Sequence, residues 1–91
     1  MSSDEEERVA LAEAARGDIP PQFCRVVDVE ISGDAAHVWL VTNDAPRFER
    51  YQVDFARENG VWIDAGGSGG FQTGTPDRVM KLADGIERGE A

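Results

Sequence analysis

Between residues 23 and 65 apolar side chains recur at every second position, in runs parted by turn-forming residues. A period of two predicts β-strands, here Phe23–Ile31, Ala36–Thr42, Phe48–Ala56 and Val61–Ala65. The flanks change period. Asp4 to Arg16 reads as a helix: Ser3 and Glu6 are spaced as a capping box, acids sit at the positive end of the dipole, and Gly17 stops it. Val79, Leu82, Ala83 and Ile86 make one stripe of a second helix, Pro76 to Arg88, with Thr75 as cap and Pro76 at its first position. Ile19-Pro20-Pro21-Gln22 breaks the chain between the first helix and the strands, since proline has no N–H to donate.

Short turns set the strand registers. A two-residue Gly33-Asp34 turn places Ile31 opposite Ala36, Val29 opposite Val38 and Val27 opposite Leu40. Across the loop Asn43–Arg47, matching faces puts Leu40 opposite Tyr51 and Val38 opposite Val53. For the last hairpin, a type I turn at Glu58-Asn59 with a left-handed Gly60 pairs Phe55 with Ile63 and Val53 with Ala65. A tighter Asn59-Gly60 turn would set Phe55 against Asp64 and is disfavoured on that ground. One sheet face then reads Val27, Val29, Ile31, Val38, Leu40, Tyr51, Val53, Phe55, Val61 and Ile63. The expectation is a single α+β domain over residues 1–91: helix, four-stranded antiparallel meander, helix, in a two-layer sandwich with both helices on the aliphatic face.

Charge narrows the partners. In 91 residues, 18 Asp and Glu oppose 9 Lys and Arg, a net charge of −9. Such a field repels nucleic acid and anionic membranes and attracts basic surfaces. No apolar run approaches a membrane span, and the acidic N-terminus is unlike a signal peptide, so a cytoplasmic location is expected. The lone Cys24 excludes an internal disulfide and a multi-cysteine zinc site, and reads as a small semi-buried residue.

The opposite sheet face carries the candidate chemistry. A cross-strand row Glu30, His37, Asp54, Asp64 is predicted beside Asp28, Trp39, Gln52, Val26, Val41 and Arg50, with Trp62 near the last turn. Trp and Arg are over-represented among residues that carry binding energy, and an exposed apolar patch marks association. On that basis Trp39, Trp62 and Arg50 are expected anchors for a protein partner, a basic one by charge, or for a second copy of the chain. Asp28, Glu30, Asp54 and Asp64 form the electrostatic rim. The alternative is a ligand binder in which the Glu30-His37-Asp54-Asp64 row takes a divalent cation, although side chains on a flat sheet point in parallel and do not converge. A proton-transfer role for His37 needs a concave pocket beside its ring.

Residues 66–70 hold four glycines in five positions, and a helix start follows. Strand, glycine loop and helix is an order that cradles phosphate, which makes Gly67, Ser68, Gly69, Gly70, Thr73 and Thr75 a candidate anion loop. The Walker lysine and the dinucleotide signature are both missing. The structural reading is that the glycines let the chain leave the sheet, with Phe71 anchoring the crossing.

The stretch Trp62…"GGSGGFQTGTP" resembles small uncharacterised α+β proteins of high-GC bacteria, over roughly residues 36–84. That resemblance brings a fold boundary and no activity, cofactor or catalytic residue. The helix-then-meander order also looks loosely like cystatin and nuclear-transport-factor-2 folds, though the chain is short for the ligand cone of the latter. The functional expectation is a small acidic non-enzymatic interaction module with no cofactor and no metal.

Overall fold

The computed structural model describes residues 3–44 and 47–89; for Ser3, Asp44, Arg47 and Ser68 it describes the backbone alone. The order is α1 (Ser3–Arg16), a 3-10 turn (Pro21–Phe23), β1 (Cys24–Ser32), β2 (Ala35–Asp44), β3 (Arg47–Glu58), β4 (Val61–Gly69) and α2 (Asp77–Glu87). The four strands form one antiparallel sheet in the order β1-β2-β3-β4. This is the expected α+β meander between two helices. The Ser3 side chain, and with it the expected cap, and the Ala45-Pro46 tip of the middle loop lie outside what is described.

The aliphatic face packs under α1. Leu11 meets Val29, Ala36, Val38, Leu40, Phe55 and Cys24, all buried, with Ala12, Ala15 and Ile19 at the margin. Burying each large side chain here contributes about 1.5–3 kcal/mol. Burial also pushes the Cys24 thiol up, and the nearby Arg16 charge only partly offsets it. A raised thiol pKa keeps Cys24 protonated and unreactive.

The two-layer arrangement is corrected: α2 lies on the other face. Arg50, which points the same way as Trp39, Val41 and Gln52, bonds Asp84 and Glu87 of α2. Arg78 of α2 reaches Asp28 and Glu30 on β1. Val79 and Ala83 of α2 are fully buried, as are Trp39 and Val41. Alternation explains this. A strand with Val38 and Leu40 inward must send Trp39 and Val41 outward, and their area is too apolar to leave wet. The helices therefore sandwich the sheet in three layers. Thr75 does not cap α2; its hydroxyl donates to the Gln72 carbonyl, and Pro76 takes the N-cap position without a side-chain bond.

Two bulges displace the registers. Ile31–Ala36 and Val29–Val38 pair as expected, but Val27 bulges, so Val26 faces Leu40. The β2–β3 pairs Leu40–Tyr51 and Val38–Val53 are as expected. The last hairpin is corrected. Asn59 (φ 53°) and Gly60 (φ 78°) are both left-handed, the signature of the tight two-residue turn. Arg57 therefore pairs with Trp62 and Phe55 with Asp64. Beyond them a bulge at Ala65, with Gly66 at φ 123° and its N–H bonded to the Asp64 carboxylate, resets the phase. Gly67 then faces Val53 and Gly69 faces Tyr51. The glycines thus extend β4, and the chain leaves the sheet only at Gly70 (φ 94°).

Candidate functional site

These registers distribute the predicted site residues over two faces. On the α2 face, Trp39 is 2% exposed, so it is not an open anchor. Arg50 stacks at 5.4 Å over Phe71 and clasps α2 through Glu87 and Asp84; the Glu87 bond is the main cause that holds its guanidinium charged against burial. Trp62 lies on the opposite, α1 face, where its indole donates to Glu7 at 2.9 Å. Asp28 joins Arg8 of α1 to Arg78 of α2 around the β1 edge. Asp64 leaves the predicted row, because Gly66 takes the place opposite Asp54. Among the described residues no group of three or more His, Cys, Asp or Glu is placed to hold a metal.

Glu30, His37 and Asp54 do stand side by side as expected. The Gly70–Pro76 crossing roofs them and leaves a cavity of about 400 Å³, lined also by Gln52, Thr73 and Thr75. The pocket that a role for His37 requires is therefore present. Its floor is a hydrogen-bonded chain. The Trp39 indole N–H (2.9 Å) and the Gln72 backbone N–H (3.1 Å) both donate to Gln52 Oε1. That fixes the amide so that Gln52 Nε2 donates to Asp54 Oδ1 at 2.9 Å, and His37 Nδ1 meets the same oxygen at 2.7 Å. Burial works against the Asp54 carboxylate, but the Gln52 and His37 bonds together hold its pKa below the ordinary value.

The candidate anion loop is not assembled. Gly67, Ser68 and Gly69 are strand residues of β4, Gly70 is the exit, and Thr73 and Thr75 belong to the crossing on the α2 side. The Ser68 side chain lies outside the described residues.

A different opening on the α1 face carries no site residue of the sequence reading. An apolar groove of about 400 Å³ runs between the end of α1, the Pro21–Phe23 turn and the sheet, with Leu40, Tyr51 and Val53 as its floor. Its one ionisable carboxyl is Glu49, which accepts from the Tyr51 hydroxyl at 3.4 Å. A second hollow of about 280 Å³ continues across Tyr51 and Val53 to Gly67 and Gly69. Two sequence features keep this ground bare. Ala15, facing the groove from α1, is too small to fill it, and the β4 partners of Val53 and Tyr51 have no side chains. A Cβ built on Gly69 would meet nothing within 4 Å. β4 is the terminal strand of the sheet, and on its other face, away from α1, Val61 is 61% and Ile63 44% exposed, which corrects their expected place on the aliphatic face.

No family model, curated protein or solved structure matches this chain. No helix among the described residues is long and apolar enough to cross a membrane.

Proposed function

We propose that this protein is a non-enzymatic interaction module that takes an extended, basic segment of a protein partner along the outer edge of β4. An apolar side chain of that segment seats in the hollow over Tyr51 and Val53. The observation that carries this reading is the bare strand. β4 ends the sheet, its outer edge pairs with no other strand among the described residues, and at Gly67 and Gly69 it has no side chains to close the hollow beside it. An added strand satisfies edge N–H and C=O groups, and its alternate side chains supply specificity.

Charge selects the partner. The chain carries −9, and the groove contains Glu49. A cationic strand gains from that field, whereas a second copy of the chain brings its own −9 against it. This keeps the expected interaction role and moves it off the outer sheet face, which α2 covers.

The test is an amide chemical-shift titration of the ¹⁵N-labelled protein with a soluble peptide of alternating valine and lysine, and with its valine–glutamate counterpart. The expected result is saturable shifts confined to Val61–Gly69, Tyr51 and Val53 with the lysine peptide only. Shifts of equal size with both peptides, or shifts that map to α2, overturn it.

A further inference from the structure

The cavity beneath the Gly70–Pro76 crossing lies on the opposite face from the β4 groove and is independent of it. We infer that it is a binding site for a small aliphatic ligand bearing a protonated amine, held by His37 Nε2 and the Glu30 carboxylate.

The buried end of the hydrogen-bonded chain sets the direction of every bond in it. Two N–H groups, from the Trp39 indole and the Gln72 backbone, converge on Gln52 Oε1. An amide oxygen accepts and its nitrogen donates, so the Gln52 amide has one orientation, with Nε2 aimed at Asp54. Asp54, kept ionised, accepts only. The proton of the His37–Asp54 bond therefore belongs to His37 Nδ1. In the neutral imidazole the remaining nitrogen, Nε2, is then a bare acceptor. The chain from Trp39 to His37 thus fixes a tautomer, which a merely solvated surface histidine does not need.

The cavity that His37 lines carries two carboxylates, Glu30 and Asp54. Glu30 lines the cavity beside His37, and Asp54 lies behind the ring. Arg78 of α2 pairs with Asp28 at 3.1 Å and with Glu30 Oε2 at 3.4 Å, so a ligand amine shares the Glu30 carboxylate with that guanidinium. An ammonium group with three donors fits His37 Nε2 and Glu30 and gains charge compensation from Glu30, while a carboxylate or phosphate is repelled. Thr73, Thr75 and Pro76 of the crossing also line it, with the Thr75 hydroxyl donating to the Gln72 carbonyl. About 400 Å³ holds a short aliphatic chain with its polar head.

Three probes of one length separate the head-group chemistries: butylamine as its cation, butanol, and butyrate. Each is titrated into the ¹⁵N-labelled protein at neutral pH, and the His37 ring and Trp39 indole N–H resonances are followed. The expected result is a saturable shift with butylammonium, at least tenfold weaker with butanol and absent with butyrate. Glu30→Gln should weaken the butylammonium response about tenfold, and His37→Phe should abolish it while the Trp39 indole signal remains dispersed. Equal responses to the three probes, no saturation with butylammonium, or an undiminished response in both variants overturns the proposal. The ring-nitrogen spectrum gives a check that needs no ligand. A proton on Nε2 in the neutral form contradicts the assigned tautomer and the site with it.

Discussion

Trp62 and Arg57 face one another across the last hairpin, with the guanidinium carbon 4.6 Å from the indole ring centre, and both bond the Glu7 carboxylate of α1. One carboxylate therefore ties the far edge of the sheet to the first helix. The contact exists only because the Asn59-Gly60 turn is tight. The looser turn would have paired Arg57 with Val61 and sent Trp62 to the other side.

The two tryptophans should behave differently when removed. Trp39 is buried and holds Gln52, so Trp39→Ala should cost about 3–5 kcal/mol. Trp62 is half-buried; Trp62→Phe keeps an aromatic face for Arg57, with a weaker cation–π contact, and loses the indole bond to the Glu7 carboxylate, so it should cost about 1 kcal/mol. Urea denaturation of the two variants checks the order; equal losses would mean that α2 does not cover Trp39.

The turn gives a backbone prediction. Gly60 sits at φ 78°, where a Cβ is strained although no neighbouring atom lies within 4 Å of it. Gly60→Ala should destabilise by about 1 kcal/mol through backbone conformation alone. Asn59→Gly should be near neutral by the same denaturation measurement, since glycine accepts the same left-handed φ.

Acid should loosen the α2 side first. The Asp54 carboxyl is held below its ordinary value because the Gln52 and His37 bonds outweigh burial, and Glu87 is held low chiefly by its Arg50 bond. A depressed carboxyl binds protons less readily folded than unfolded. Its stabilisation is complete above the unfolded value near pH ~4 and is lost as pH falls through the folded value. Stability followed between pH 7 and 2 should fall on the acid side, and Asp54→Asn with Glu87→Gln should flatten that limb. An unchanged slope in the double variant contradicts the assignment.

Strand phase is legible from the sequence between Val29 and Val53, because Val29, Ile31, Val38 and Val53 alternate with polar or aromatic neighbours; before Val29 the adjacent Val26 and Val27 hide the bulge. Strand phase is lost in β4, where Val61, Trp62 and Ile63 are apolar in succession and alternation has no phase. Avoiding Asp64 opposite Phe55 then points to the wrong turn, because a bulge at Ala65 makes that pairing local and lets Asp64 bond the Gly66 N–H. The side taken by α2 is likewise hidden, since an amphipathic stripe fits either face. What decides it is Trp39 and Val41, which need cover as much as Val38 and Leu40 do. The Glu30-His37-Asp54 row is legible from register alone, and the cavity above it is not, because its roof is a loop. The β4 groove is written in the sequence only as missing side chains: a small alanine at position 15 and glycines at 67 and 69.

Gly69→Val tests the interaction reading most directly. A Cβ at position 69 meets nothing within 4 Å beside the hollow over Tyr51, and valine suits a strand better than glycine, so thermal stability should be kept or raised. Calorimetric titration with the valine–lysine peptide is the measurement. The account predicts binding to the wild type that weakens with salt and at least tenfold weaker binding to the stable Gly69→Val variant; equal affinity for the two proteins would contradict it.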